Sequence, residues 1–119
     1  MWLVLKDGFL SVVHKDCAPD ELLVRARVRS HITNYFPKAK ITRTPGNDYL
    51  FRARVKRFEV ADVVADYIVN DINEGNFKNS IEDDKLHRVC SRVWHVLADL
   101  QDSKPYSGRA NTRQKSIWP

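Results

Sequence analysis

The 119-residue sequence is poor in the residues that usually announce chemistry. It has two cysteines, Cys17 and Cys90, too far apart for a CxxC pair. That excludes a zinc ribbon or a disulfide framework and fits a reducing compartment. Its four glycines, Gly8, Gly46, Gly75 and Gly108, stand singly, so there is no glycine-rich phosphate loop. Four histidines, His14, His31, His87 and His95, never fall at HxH or HExxH spacing. No metal site and no cofactor are therefore expected. No Ser/His/Asp or Cys/His constellation is locally signalled, and Cys90 falls on an apolar helical stripe where thiols are usually inert. No catalytic residue is assigned. An enzyme would have to assemble its site in space, around His14 or His31.

Long apolar runs are missing too. "MWLVLKDGFLSVV" opens like a leader but is interrupted at Lys6, Asp7 and Gly8. No stretch approaches membrane-spanning length. The expectation is a soluble, cytoplasmic chain with no membrane partner.

Charge is present in quantity and unevenly placed. The net charge is +5, yet residues 1–56 hold eleven Lys/Arg against five Asp/Glu, and residues 57–84 hold two against eight. Residues 103–119 add four cations and no acid. The chain is thus strongly dipolar, and its last segment supplies most of the excess. Hydrophobic residues, 43% of the total, suffice for one core without covalent staples.

Hydrophobic spacing predicts an α+β domain over residues 1–102. "WLVLKDGFLSVVHK" reads as a β-hairpin about Asp7-Gly8, a dipeptide that tolerates positive φ. "LLVRARVR" (22–29) alternates with period two, as does "YLFRARVK" (49–56). Between them lie a short helix, "HITNYF", capped by Ser30 and ended by Pro37, and a strand, "KITRT". Residues 58–72 carry a helical stripe of Val60, Val63, Val64, Tyr67, Ile68 and Ile72. Residues 83–101 carry a second, with Leu86, Val89, Cys90, Val93, Leu97 and Leu100. The predicted architecture is an antiparallel sheet of about five strands, with helices on one face and a C-terminal helix. It combines the N-terminal hairpin with a ferredoxin-like β-α-β-β-α unit. Residues 103–119 read as a basic, extended or mobile tail.

In that arrangement the two arginine-bearing strands are central neighbours. Val24, Ala26, Tyr49, Phe51, Ala53 and Val55 then face the helices. Arg25, Arg27, Arg29, Arg52, Arg54 and Lys56 share the opposite side. Guanidinium groups suit phosphates or carboxylates through paired hydrogen bonds. The expected function is a non-catalytic binding module that contacts nucleic-acid phosphates through this face. Solvated charge rows with no ligand are the ordinary alternative. Lys104, Arg109, Arg113 and Lys115 have no acidic neighbours and extend the basic surface, and Trp118 could anchor the tail in a pocket. The same dipolar surface would also fit an acidic protein partner or a second copy of the chain, a homodimer.

The segments "MWL…GFLSVV", "LLVRAR", "NDYLFRARV", "NFKNSI" and "RVWHVLADLQ" together resemble a family of small prokaryotic and phage-encoded hypothetical proteins. The resemblance spans most of residues 1–101. It brings no activity, substrate or site residue. It implies a bacterial cell or phage-infected host, in which inhibitors of host defence complexes are a second functional expectation.

Overall fold

Both arginine-bearing segments become antiparallel strands in the computed structural model, which describes residues 1–103. The chain divides into two compact units, Met1–Asn73 and a second that begins at Glu74. The first unit holds strands β1 (Trp2–Leu5), β2 (Gly8–Val13), β3 (Glu21–Ala26), β4 (Ile41–Arg43) and β5 (Phe51–Lys56). Its helices are α1 (Arg29–Thr33) and α2 (Arg57–Asn70). The strands lie in the order β1-β2-β3-β5-β4, each neighbouring pair antiparallel. From β3 to α2 this is the expected β-α-β-β-α unit, with β3 and β5 at its centre. The hairpin's β2 lies beside β3, where a ferredoxin-like fold carries its last strand.

Period-two alternation decides which side chains meet. Register sets Val12 against Val24, and Val24 against Ala53, so the apolar positions of three strands stack on one face. Ile32 from α1, Phe36 just after it, and Val60 and Tyr67 from α2 close over that face. Leu10, Val24, Ala26 and Ile32 are fully buried there. Helix α1 has only five residues and no side-chain cap; Val28, not Ser30, is its N-cap residue. A helix this short is held by Ile32 and its neighbours rather than by its own hydrogen bonds.

The first hairpin forms, for a reason other than the expected one. Leu5 pairs with Gly8, so the two-residue loop is Lys6-Asp7, and Gly8 does not adopt a positive φ. Glycine is required there by proximity. A Cβ at Gly8 would come within 3.0 Å of the His31 Cβ and carbonyl oxygen. Side chains from α1, from the turn that follows it and from α2 hold the loop. Lys6 N–H donates to the Tyr67 hydroxyl (3.0 Å), Asp7 N–H to the Tyr35 hydroxyl (2.9 Å), and Phe9 N–H to His31 Nδ1 (3.2 Å). Asn34 Nδ2 donates to the Asp7 carbonyl at 2.9 Å. Burial pushes the Tyr35 hydroxyl pKa well up, keeping it neutral.

Helix α2 departs from its expected stripe. Val60 and Tyr67 are buried and Val63 and Val64 half-buried, but Ile68 and Ile72 are exposed, as are Phe58 and Val69. Apolar residues lie on two sides of this helix, so spacing alone did not identify the side the sheet would take.

In the second unit a short 3-10 turn, Phe77–Ser80, precedes α3 (Asp84–Leu97), and another, Ala98–Leu100, follows it. Asp83 caps α3, its Oδ1 accepting from Leu86 N–H at 2.8 Å, and Asp84 lies in the first turn where the helix dipole favours a carboxylate. Leu86 and Cys90 are buried, whereas Leu97 and Leu100 are exposed. Both cysteines are free, and burial raises the Cys90 thiol pKa, disfavouring the reactive thiolate. Among the described residues no helix is long and apolar enough to cross a membrane.

Candidate functional site

On the sheet face away from α1 and α2, register brings Arg25 directly opposite Arg52, Leu23 opposite Arg54, and Glu21 opposite Lys56. Four of the six expected cations therefore stand on one side of two adjoining strands. The other two lie beyond the end of β3. Arg27 stays close to the group, its side chain reaching Tyr49 and Asp48. Arg29 does not: the strand ends at Ala26, and Arg29 begins α1 as an exposed first-turn residue. The tail residues Lys104, Arg109, Arg113, Lys115 and Trp118 lie outside the described residues.

Like charges placed opposite one another repel, so the face needs compensation. Among the described residues, carboxylates supply only part of it. Lys56 Nζ donates to Asp20 Oδ2 at 2.8 Å, which lowers the Asp20 pKa and raises that of Lys56. Arg52 Nη2 lies 3.5 Å from Asp48 Oδ1, a looser pair. The remaining three guanidiniums use neutral acceptors. Arg25 Nη2 donates to the buried Ser11 hydroxyl (2.8 Å), Arg27 Nη1 to the Asp48 carbonyl (2.7 Å), and Arg54 Nε to the Asp16 carbonyl (2.5 Å). A hydroxyl or carbonyl dipole fixes a guanidinium in place but leaves its unit charge standing.

Tyr49 was expected on the helix side and is instead beneath the arginines. Strand β5 begins only at Phe51, and the chain before it turns, with Asp48 Oδ1 accepting from Tyr49 N–H at 2.9 Å. The buried ring lies against two cations, 4.8 Å from the Arg25 guanidinium carbon and 4.7 Å from that of Arg27. Each such contact stabilises by about 0.5–1 kcal/mol at a partly exposed site. Packing has a counterpart cost. Arg25 Nε and Arg52 Nε are buried, and among the described residues neither meets an acceptor.

Alongside these cations β4 and the residue just before it add side chains that the strand pattern had not singled out. Thr42 lies opposite Arg52. Lys40 and Thr42 join Arg52 and Arg54 around an open concavity that also includes the carboxylate-bearing Asp16 and Glu21. The two-residue spacing from Lys40 to Thr42 was the available signal. What it lacked was the register of a three-residue strand. Ser11 had even less signal, being a lone hydroxyl in an apolar run. The surface is thus net basic with acids at its margin. The candidate histidines lie elsewhere. His14 Nε2 is 3.3 Å from the Ala18 carbonyl, and His31 holds the hairpin loop.

Comparison of the chain with protein-family models, with curated proteins and with solved structures returns no match.

Proposed function

We propose that this chain is a non-catalytic binding module that contacts the phosphates of nucleic acid through Arg25, Arg27, Arg52 and Arg54, in the cytoplasm of a bacterial cell or phage-infected host. One observation carries the reading: Arg25, Arg27 and Arg54 are oriented by a hydroxyl and two carbonyls rather than by carboxylates. Their geometry is held before any ligand arrives, and their charge is still available to an anion. Lys56 contributes less, because Asp20 already accepts from it. Contacts of this kind give affinity without base selectivity.

The test is fluorescence anisotropy with labelled single- and double-stranded oligonucleotides of unrelated sequence. Binding should be indifferent to sequence and fall with salt at a log–log slope of about −2 to −4, as three or four phosphate contacts require. Arg27→Glu with Arg54→Glu should weaken it by at least about tenfold, more than 1.4 kcal/mol. Unchanged binding in that double variant overturns the reading.

A second reading rests on the marginal acids. Asp16, Asp20, Glu21 and Asp48 interrupt the basic surface, a mixed pattern that suits a protein surface better than a uniform phosphate track. A phage-type inhibitor of a host complex would take this form. Its signature is an acidic protein retained stoichiometrically, after nuclease treatment, by the wild-type chain and not by the double variant.

A further inference from the structure

Helix α2 buries one side against its own sheet through Val60 and Tyr67, yet its opposite side is also apolar and lies in solvent. Phe58 is 85% exposed, Ile68 58% and Val69 79%, and Ala61 and Ala65 between them are exposed as well. Single exposed apolar residues are ordinary, but these are ordered. Phe58, Ala61, Ala65 and Ile68 recur at intervals of three, four and three. That is the a–d spacing of a seam between two helices.

The residues flanking this seam indicate the occupant. With Phe58 and Ala65 at a, and Ala61 and Ile68 at d, Arg57 and Val64 fall at g, and Asp62 and Val69 at e. In a parallel pair each g residue meets the e residue five positions on in the other helix. Arg57 then meets Asp62 of the second copy, and Val64 meets its Val69. Cation pairs with anion and apolar with apolar, and the two-fold relation repeats both pairs. An antiparallel pair would set Asp62 against Val69. Among the described residues the Arg57 side chain is hydrogen-bonded through Nε, to the Pro19 carbonyl at 2.9 Å, which leaves its terminal nitrogens for the partner. Ala61 and Ala65 allow close approach of the two backbones at the middle of the seam.

We infer that α2 joins two copies of this chain as a parallel, two-fold helix pair along Phe58, Ala61, Ala65 and Ile68, sealed by Arg57 and Asp62. The seam spans two heptads, so the dimer is weak and concentration-dependent. Its apolar positions are solvent-exposed in the single chain, and changing them leaves the sheet core untouched.

Sedimentation velocity of the full chain tests this between about 10 µM and about 1 mM, the range suited to a weak dimer. The mass should rise from one chain toward two, and Ala65→Arg or Phe58→Ser should weaken association by at least about tenfold. Asp62→Arg should weaken it too, and adding Arg57→Glu should restore it. A single-chain mass throughout, or a dimer indifferent to both seam variants, overturns the proposal. Failure of the charge exchange to restore association overturns the parallel pairing.

Discussion

On the helix side of the sheet, Leu10 and Val24 are inaccessible among hydrocarbon, whereas on the other side Ser11 is almost as inaccessible, at 2% exposure, with a guanidinium bonded to it. The first kind of burial depends on volume and the second on pairing. An apolar core loses stability in proportion to the space opened in it. A polar layer is sensitive instead to the loss of one partner, because the group left behind stays desolvated. The two faces belong to the same strands, so substitutions can probe each against a common background.

The largest effect should come from the apolar side. Phe36, 2% exposed, lies within the core beside α1. Phe36→Ala should lower unfolding free energy by about 3–5 kcal/mol in urea titration. On the arginine side, Ser11→Ala removes one oxygen and strands Arg25 Nη2 beside an Nε that already lacks an acceptor. Its cost should be about 1–3 kcal/mol. Combining it with Arg25→Met should recover much of that loss, whereas no second polar substitution should rescue Phe36→Ala. Additive behaviour of Ser11 and Arg25 in that cycle would contradict the distinction.

The smallest effect concerns pH. The hydrogen bond from Lys56 is the main cause of the lowered Asp20 pKa, and both side chains are solvent-exposed. A carboxyl whose folded pKa is depressed adds stability above its unfolded value, about 4, and loses it as pH falls through the folded value. The urea midpoint should therefore decline slightly more in acid for the wild type than for Asp20→Asn. An identical acid limb in the two proteins would show the pair to be without consequence.

Much of this was legible because alternation with period two is a strong constraint. Once Val24 and Ala53 face a core, Arg25 and Arg52 have to face away from it, and their direct opposition follows from the pairing of β3 with β5. Legibility failed where the chain leaves regular structure. Tyr49 continued the alternation on paper, but the turn at Asp48 rotates it to the arginine side. Arg29 continued it as well, until the strand ended at Ala26 and α1 began. At Gly8 the sequence signals dihedral freedom, whereas its role depends on a helix that arrives some twenty residues later. In α2 the spacing was right but not unique, since two apolar sides offered themselves to one sheet.

The bonds that hold the Lys6-Asp7 loop have a kinetic meaning. Its amides donate to side chains 61 and 28 residues further along, and that of Phe9 to one 22 residues further. A tight loop would ordinarily exchange its amide protons with solvent by local fraying. Here those protons stay shielded only while Tyr67, Tyr35 and His31 are docked, so their exchange rates serve as a gauge of how intact residues 1–73 are as a whole.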